Sequence, residues 1–354
     1  MGIVLLIAAL IWGAGVVTGA PRSLRWIGIG LLWAAVVLAQ LVLPEGAALR
    51  AATGGSAAPW LILGGLGLMV AGYRAVLVRL KARARPVEVS GEPQGSFREA
   101  ELRRYARHII LREVGGPGQV RLKQAKVLVV GAGGLGSPAL MYLAAAGVGS
   151  IGVVDDDVVD GSNLQRQVIH GDADIGRPKV QSAAERMQAI NPFIEVRSYQ
   201  RRLGAADVDA LLAEYDLVLD GTDNFTTRYL VNEACVKAGK PLISGALTQW
   251  EGQVSVFDPA HGAPCYQCVF PEAPAEGLAP SCAEAGVIGP LPGVVGSIMA
   301  LEAVKLLTGA GAVLRGEMLI YDGLWGETRK IRVKPRLDCP VCQGRGLAEA
   351  APKA

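Results

Sequence analysis

Four cysteines stand in two short pairs, Cys265-x-x-Cys268 and Cys339-x-x-Cys342, about seventy residues apart. Each pair sets two thiolates on one tight turn, which is half of a tetrahedral Zn2+ site. A shared ion would tie a mid-domain loop to a segment near the end of the chain. That separation is longer than a zinc finger's and suits a metal clip on a larger enzyme. Two structural disulfides are the competing use. They need an oxidising compartment, whereas the charge pattern around the apolar N-terminal segments puts this part of the chain in the cytosol. Cys235 lies among apolar residues of a predicted helix and reads as an inert core thiol. His108, His170 and His261 have no ligand spacing to the cysteines and read as structural or surface residues.

A second constellation is suited to phosphate. Residues 125–130 read as a buried strand, Gly131-Ala132-Gly133-Gly134-Leu135-Gly136 follows at once, and Ser137-Pro138 opens a helix that stops at Gly147. The next strand, 150–154, ends in Asp155-Asp156-Asp157. Gly131, Gly133, Gly134 and Gly136 let phosphate oxygens approach the backbone, and the helix N-terminus adds free N–H groups and a positive dipole end. Asp155, the first acid after the strand, is placed to bond ribose hydroxyls. Alone, this unit suggests a dehydrogenase, and a lone glycine fingerprint is a weak signal.

The residues beyond the three acids suit a nicotinamide enzyme poorly. Ser162-Asn163-Leu164-Gln165-Arg166-Gln167 is a polar cluster, and Arg177-Pro178-Lys179 begins a helix with Pro178 suited to its first position. Lys179 then aims its charge at an anion. Two cations, Arg166 and Lys179, beside a glycine cradle point to a triphosphate rather than a dinucleotide. A further strand, 216–220, leads to Gly221-Thr222-Asp223-Asn224 and a helix over 225–238. Asp223, at the carboxyl end of a strand, can hold Mg2+ against phosphate oxygens. Capping the helix is its alternative use, which Asn224 or Thr222 also fits.

The rest of the chain must hold these residues in place. It has 354 residues, 51% of them hydrophobic, and a net charge of only +3, which gives no case for a nucleic-acid partner. The apolar excess sits in residues 1–80, which read as a membrane anchor with three spans at about 3–20, 26–43 and 60–78. Arg22 and Arg25 lie in the first loop, and Arg74, Arg79, Lys81, Arg83 and Arg85 cluster around the end of the third span. The positive-inside rule puts both on the cytoplasmic side of the inner membrane, with the N-terminus outside. Trp26 and Trp60, at span starts, are candidate interfacial anchors. Residues 81–96 read as a basic, flexible linker, 97–344 as the catalytic domain and 345–354 as a disordered tail. The domain continues past the nucleotide half through 241–257, with 318–321 and 330–333 read as strands, 293–307 as a helix, and 273–291 as a mobile loop rich in Pro and Gly.

Taken together, Arg104-Tyr105-x-Arg107-x-Ile109-x-Leu111, the glycine turn, residues 162–167, Lys179, Thr222-Asp223-Asn224, Glu251-Gly252-Gln253 and the paired cysteines resemble the MoeB/ThiF family, bacterial relatives of ubiquitin-activating enzymes. The likeness covers about 97–344. It implies an α/β, Rossmann-like fold with a mixed sheet, and nucleotidyltransfer: ATP adenylates the C-terminal glycine of a small ubiquitin-like sulfur carrier ending in Gly-Gly, releasing pyrophosphate. It adds Ser162, Asn163, Leu164, Gln165 and Asn224 to the nucleotide contacts. It also implies a homodimer, in which Arg107 reaches the neighbouring subunit's nucleotide. Cys282 matches a loop cysteine that forms a covalent intermediate in some relatives. MoeB is the nearer pattern, so the expected carrier is the small subunit of molybdopterin synthase; thiazole and tRNA-thiolation carriers are the alternatives. The three spans depart from the family pattern and suggest tethering. No rhodanese-like domain follows Cys342, so a separate sulfur donor protein is expected. An NAD-dependent oxidoreductase and a non-catalytic membrane adaptor are the rival readings.

Overall fold

The computed structural model describes residues 2–83, 97–274 and 285–344. The linker from 84 onward, Cys282 and the tail from 345 lie outside the described residues. The chain divides into two units, 1–92 and 93–354.

The first unit is helical: α1 (Gly2–Val17), α2 (Arg22–Val42), the short α3 (Ala48–Ala52) and α4 (Ala58–Arg83). Ser23–Val42 and Ala58–Leu77 are long and apolar enough to cross a membrane. The first expected span is not: α1 has 16 residues, about 24 Å at 1.5 Å per residue, and a turn with Gly19 at φ 68° ends it. The helices pack on specific contacts. The Trp33 indole N–H donates to the Trp60 carbonyl (2.7 Å), and the Trp60 indole N–H donates to the Thr53 carbonyl (2.9 Å). A Cβ on Gly64 would lie 2.2 Å from the Trp33 ring, so only glycine admits this approach. Of the two candidate anchors, Trp60 is buried between helices, whereas Trp26 is exposed. Helix α4 continues through 81–83, where the sequence reads as linker.

The second unit opens with α5 (Glu99–Ile109) and α6 (Gly115–Gln124) and then alternates strands and helices: β1 (Lys126–Val130), α7 (Gly136–Ala146), β2 (Ser150–Val154), α8 (Lys179–Ile190), β3 (Glu195–Tyr199), α9 (Val208–Ala213), β4 (Leu217–Asp220), α10 (Phe225–Ala238) and β5 (Leu242–Leu247). Then come β6 (Glu251–Phe257), α11 (Tyr266–Val269), α12 (Pro290–Thr308), β7 (Glu317–Asp322) and β8 (Glu327–Arg332). One eight-stranded sheet runs β3-β2-β1-β4-β5-β6-β7-β8. It is parallel from β3 to β5 and antiparallel from there to β8. This is the mixed α/β architecture expected. The parallel strands need crossover helices, which bury both faces of β1: Val127, Leu128, Val129 and Val130 are all buried.

Helix α12 is as apolar as a span, but half of it is buried within this unit against α7, β5 and β6. It starts at Pro290, three residues before the predicted start, because proline suits a first helical turn. The loop predicted to reach 291 therefore ends earlier. Strand order reverses between β1 and β4. The crevice beyond their carboxyl ends is where open α/β sheets bind ligands.

Candidate active site

A cavity of about 580 Å³ occupies that crevice. Its floor is the turn after β1. Gly131, at φ 94°, donates its N–H to the Val154 carbonyl (2.9 Å), turning the chain away from the sheet. Gly131, Gly133 and Gly134 line the cavity. Gly136 does not. A Cβ there would lie 1.9 Å from the Gly131 carbonyl oxygen, so its role is close helix–strand packing. At the start of α7, Ser137 N already donates to the Gly133 carbonyl (2.9 Å) and Pro138 has no N–H, so the expected row of free donors is not there and the helix contributes mainly its positive dipole end.

Asp155 lines the cavity, yet both its oxygens are engaged. Oδ2 accepts from Ala132 N (2.7 Å) and Oδ1 from Asp157 N (2.9 Å). The carboxylate expected to meet ribose thus also fastens the glycine turn to the end of β2. Lys179 is 5% exposed, and its ammonium donates to Asp157 (2.7 Å), leaving two N–H bonds for a ligand. Pro178 is the residue just before α8, with ψ 131°, not its first helical residue, so Lys179 itself starts the helix. Arg166 lines the cavity and donates to Asn163 Oδ1 (2.6 Å).

Ser162, Asn163, Leu164 and Gln165 do not line the cavity. They form a tight turn whose start is capped by Asp160, which accepts from Ser162 N (2.8 Å) and Ser162 Oγ (2.6 Å). Their contribution here is to hold Arg166. Asn224 caps α10, accepting from Thr227 N (2.8 Å). This leaves the exposed Asp223 carboxylate, on the cavity wall, without a hydrogen bond or ion pair among the described residues. Such a carboxylate fits an octahedral cation that keeps several waters. Arg107 is exposed on α5, outside the cavity wall.

Sequence reading missed several residues. Gln167 lines the cavity at 5% exposure, with its Oε1 buried and without a hydrogen-bond partner among the described residues. Arg228 lies on the wall, buried. His170, read as structural or surface, is structural: it sits buried beneath the glycine turn, with Nε2 3.0 Å from the Ala132 carbonyl and Nδ1 2.8 Å from Ser182 Oγ. A carbonyl only accepts, so Nε2 carries a proton. Burial pushes the imidazole below its usual value, and the Ala132 hydrogen bond pulls the other way. The folded state therefore binds a proton less readily than the unfolded chain. This term is absent above about pH 6.5 and destabilises increasingly as pH falls toward the folded-state value. In melts compared at neutral and mildly acid pH, His170→Gln is expected to lose less melting temperature on acidification than the wild type. An equal loss would remove His170 from the account.

The four paired thiols converge. Sγ separations are 3.3 Å for Cys268–Cys342, 3.6 Å for Cys265–Cys339 and 3.8 Å for Cys265–Cys268. A tetrahedron with zinc–sulfur bonds of about 2.3 Å has edges of about 3.8 Å. All four cysteines are buried and none is in a disulfide. The Arg336 N–H donates to Cys268 Sγ (3.4 Å), the kind of outer-shell bond that steadies a thiolate ligand. The donor set therefore fits zinc. Helix α11 links the thiols to the cavity, because Tyr266 and Phe270 beside Cys265 and Cys268 line its wall. Cys235 is buried, and burial pushes its thiol well up, as expected of a core cysteine.

The ThiF family profile matches residues 105–341. The chain belongs to the ThiF family. It is 54% identical over 246 residues to the sulfur carrier protein adenylyltransferase of Thermus thermophilus, covering 68% of this chain and 91% of that protein. It is 54% identical over 246 residues to the probable adenylyltransferase/sulfurtransferase MoeZ of Mycobacterium tuberculosis, and spans 63% of that protein's length. The crystal structure of E. coli MccB with ATP shares the fold, with a TM-score of 0.60 at 22% identity over 68% of this chain and 74% of that one. This ThiF-family chain is an adenylyltransferase of the MoeB/ThiF type.

Proposed function

We propose that this protein uses ATP to adenylate the C-terminal glycine of a small ubiquitin-like sulfur carrier ending in Gly-Gly, of the kind that serves molybdopterin synthase. The observation that carries this reading is the shape of the cavity. The glycine turn, Lys179 and Arg166 hold one part of it. Glu251, Gln253, Ile320 and Arg329 on β6–β8 wall another, leaving room for a peptide end beside the nucleotide. The 54% identity to a sulfur carrier adenylyltransferase supports the carrier class.

A terminal carboxylate is ionised near neutral pH, so the reaction needs no general base. One carboxylate oxygen bonds to the α-phosphorus while the bond to the bridging oxygen breaks. That electron pair leaves with pyrophosphate, and the product is an acyl adenylate. The task is to bring two anions together and hold developing charge. Lys179 and Arg166 do this with preorganised N–H groups. Asp155, Asn224 and the turn at Ser162, Asn163, Leu164 and Gln165 fix the cradle. Mg2+ at Asp223 would neutralise phosphate charge; Zn2+ at the four thiolates would be structural.

A homodimer would bring Arg107 to the partner's nucleotide, and exposed Tyr142, Val294 and Leu301 on α7 and α12 offer apolar area for it. A separate protein would supply sulfur, and Cys282 is the candidate for a covalent hand-over. The anchor over 1–80 would be multi-pass in the inner membrane; with α2 and α4 as its two crossings the N-terminus would lie on the cytoplasmic side with the catalytic unit over 97–344, not outside as three spans imply, and 81–96 would be the linker.

Two experiments test the reading. Pull-down with ATP is expected to recover a small protein ending in Gly-Gly. Recovery of a thiazole-pathway carrier alone would reassign the pathway. Alkaline carbonate extraction is expected to leave the full chain with membranes, and its release would overturn the anchor.

A further inference from the structure

Arg228 stands on the cavity wall, and neither the adenylation step nor the metal sites use it. It is the fourth residue of α10 and is 5% exposed. One guanidinium nitrogen, Nη1, donates to Ser244 Oγ (3.0 Å). The other, Nη2, donates to the Gly245 carbonyl (2.7 Å) and to the Thr222 carbonyl. Asp220, fully buried at the end of β4, lies 3.7 Å away. It accepts from Thr222 N (3.0 Å), Thr222 Oγ1 (2.7 Å) and Ser244 Oγ (3.3 Å). Thr222 is thus held from two sides: Asp220 takes its N–H and Arg228 takes its carbonyl.

The next residue is Asp223. Its carboxylate has no protein partner among the described residues, so its aim depends on the peptide before it. Buried ion pairs are a weak source of stability, because desolvation offsets much of the attraction. What this pair supplies is direction. Three acceptors on β5 and on the loop after β4 meet one planar, five-donor fork.

We propose that Arg228 is a positioning residue of the adenylation site: by clamping the Thr222 carbonyl to β5, it aims Asp223 at the phosphate-bound cation. The inference rests on the reading of the cavity as an ATP site and deepens it. A lysine at this position keeps the charge opposite Asp220 but offers a compact ammonium that cannot span Ser244, Gly245 and Thr222 together. A residue that only balanced the buried charge would tolerate that change, and one that aims the loop would not.

The test uses the full chain, with ATP affinity measured by calorimetry with and without Mg2+, beside carrier-driven ATP–pyrophosphate exchange. Arg228→Lys is expected to bind ATP without Mg2+ within about threefold of the wild type. It is expected to lose the tightening that Mg2+ brings, and kcat for exchange should fall about a hundredfold, the scale of a small misplacement of reacting groups. Wild-type Mg2+ dependence and kcat in Arg228→Lys would overturn the assignment. If that variant does not fold, the charge-balanced pair Asp220→Asn with Arg228→Gln carries the same comparison, with the same two outcomes. Failure of the functional reading looks different, because the wild type itself would then show no carrier-driven exchange.

Discussion

Lys179→Ala is expected to lower carrier-driven ATP–pyrophosphate exchange at least about a hundredfold, the scale seen when one preorganised charge-stabilising donor is removed. The geometry makes the variant informative. Lys179 is buried at the start of α8, and its ammonium already meets Asp157, so it is fixed before any ligand arrives. Its loss leaves Asp157, whose side chain is 65% exposed, in contact with water, so the fold should persist. Circular dichroism melts check this. A folded Lys179→Ala protein with near-normal exchange would show that phosphate charge is held elsewhere. Asp223→Ala is expected to behave similarly, with its defect largest at low Mg2+.

The second large effect concerns the thiol cluster. Purified protein is expected to carry about one zinc per chain, and Cys268→Ser to carry far less. Metal binding and folding are coupled at such sites, so the variant should melt more than about 10 °C below the wild type. The loss should reach the active site, because α11 carries Cys268 and the cavity residue Tyr266 on one short turn. Binding of ATP should therefore weaken when a chelator strips the metal. Full zinc content and an unchanged melt in Cys268→Ser would refute the four-thiolate site.

The parts of this site that were legible in the sequence are those whose chemistry forces residue types into short spacings. A glycine turn between a strand and a helix, a lysine after a proline and two Cys-x-x-Cys pairs each announce themselves within about ten residues. Strands β1, β2 and β4 of the parallel half followed from such local patterns, whereas the edge strand β3 was not read. What was not legible depends on contacts far apart in the chain. Arg228 looks like an ordinary helix residue until β4 and β5 bring Asp220 and Ser244 beside it. His170 acquires its role only because Ala132 lies 38 residues earlier in the chain and 3.0 Å away. Gln167 was within view, in the cluster that holds Arg166, but nothing local says that it turns into the cavity. The same limit explains Trp60, whose burial depends on Trp33 and Thr53 across the helix hairpin.

The most direct measurement is pyrophosphate exchange into ATP by the purified, zinc-loaded protein, with a Gly-Gly-terminated sulfur carrier and with the same carrier lacking its last glycine. The arrangement of Lys179, Arg166 and Asp223 around one cavity predicts exchange with the intact carrier and none with the shortened one. Exchange that ignores the carrier's end, or ATP that fails to bind beside any such carrier, would contradict it.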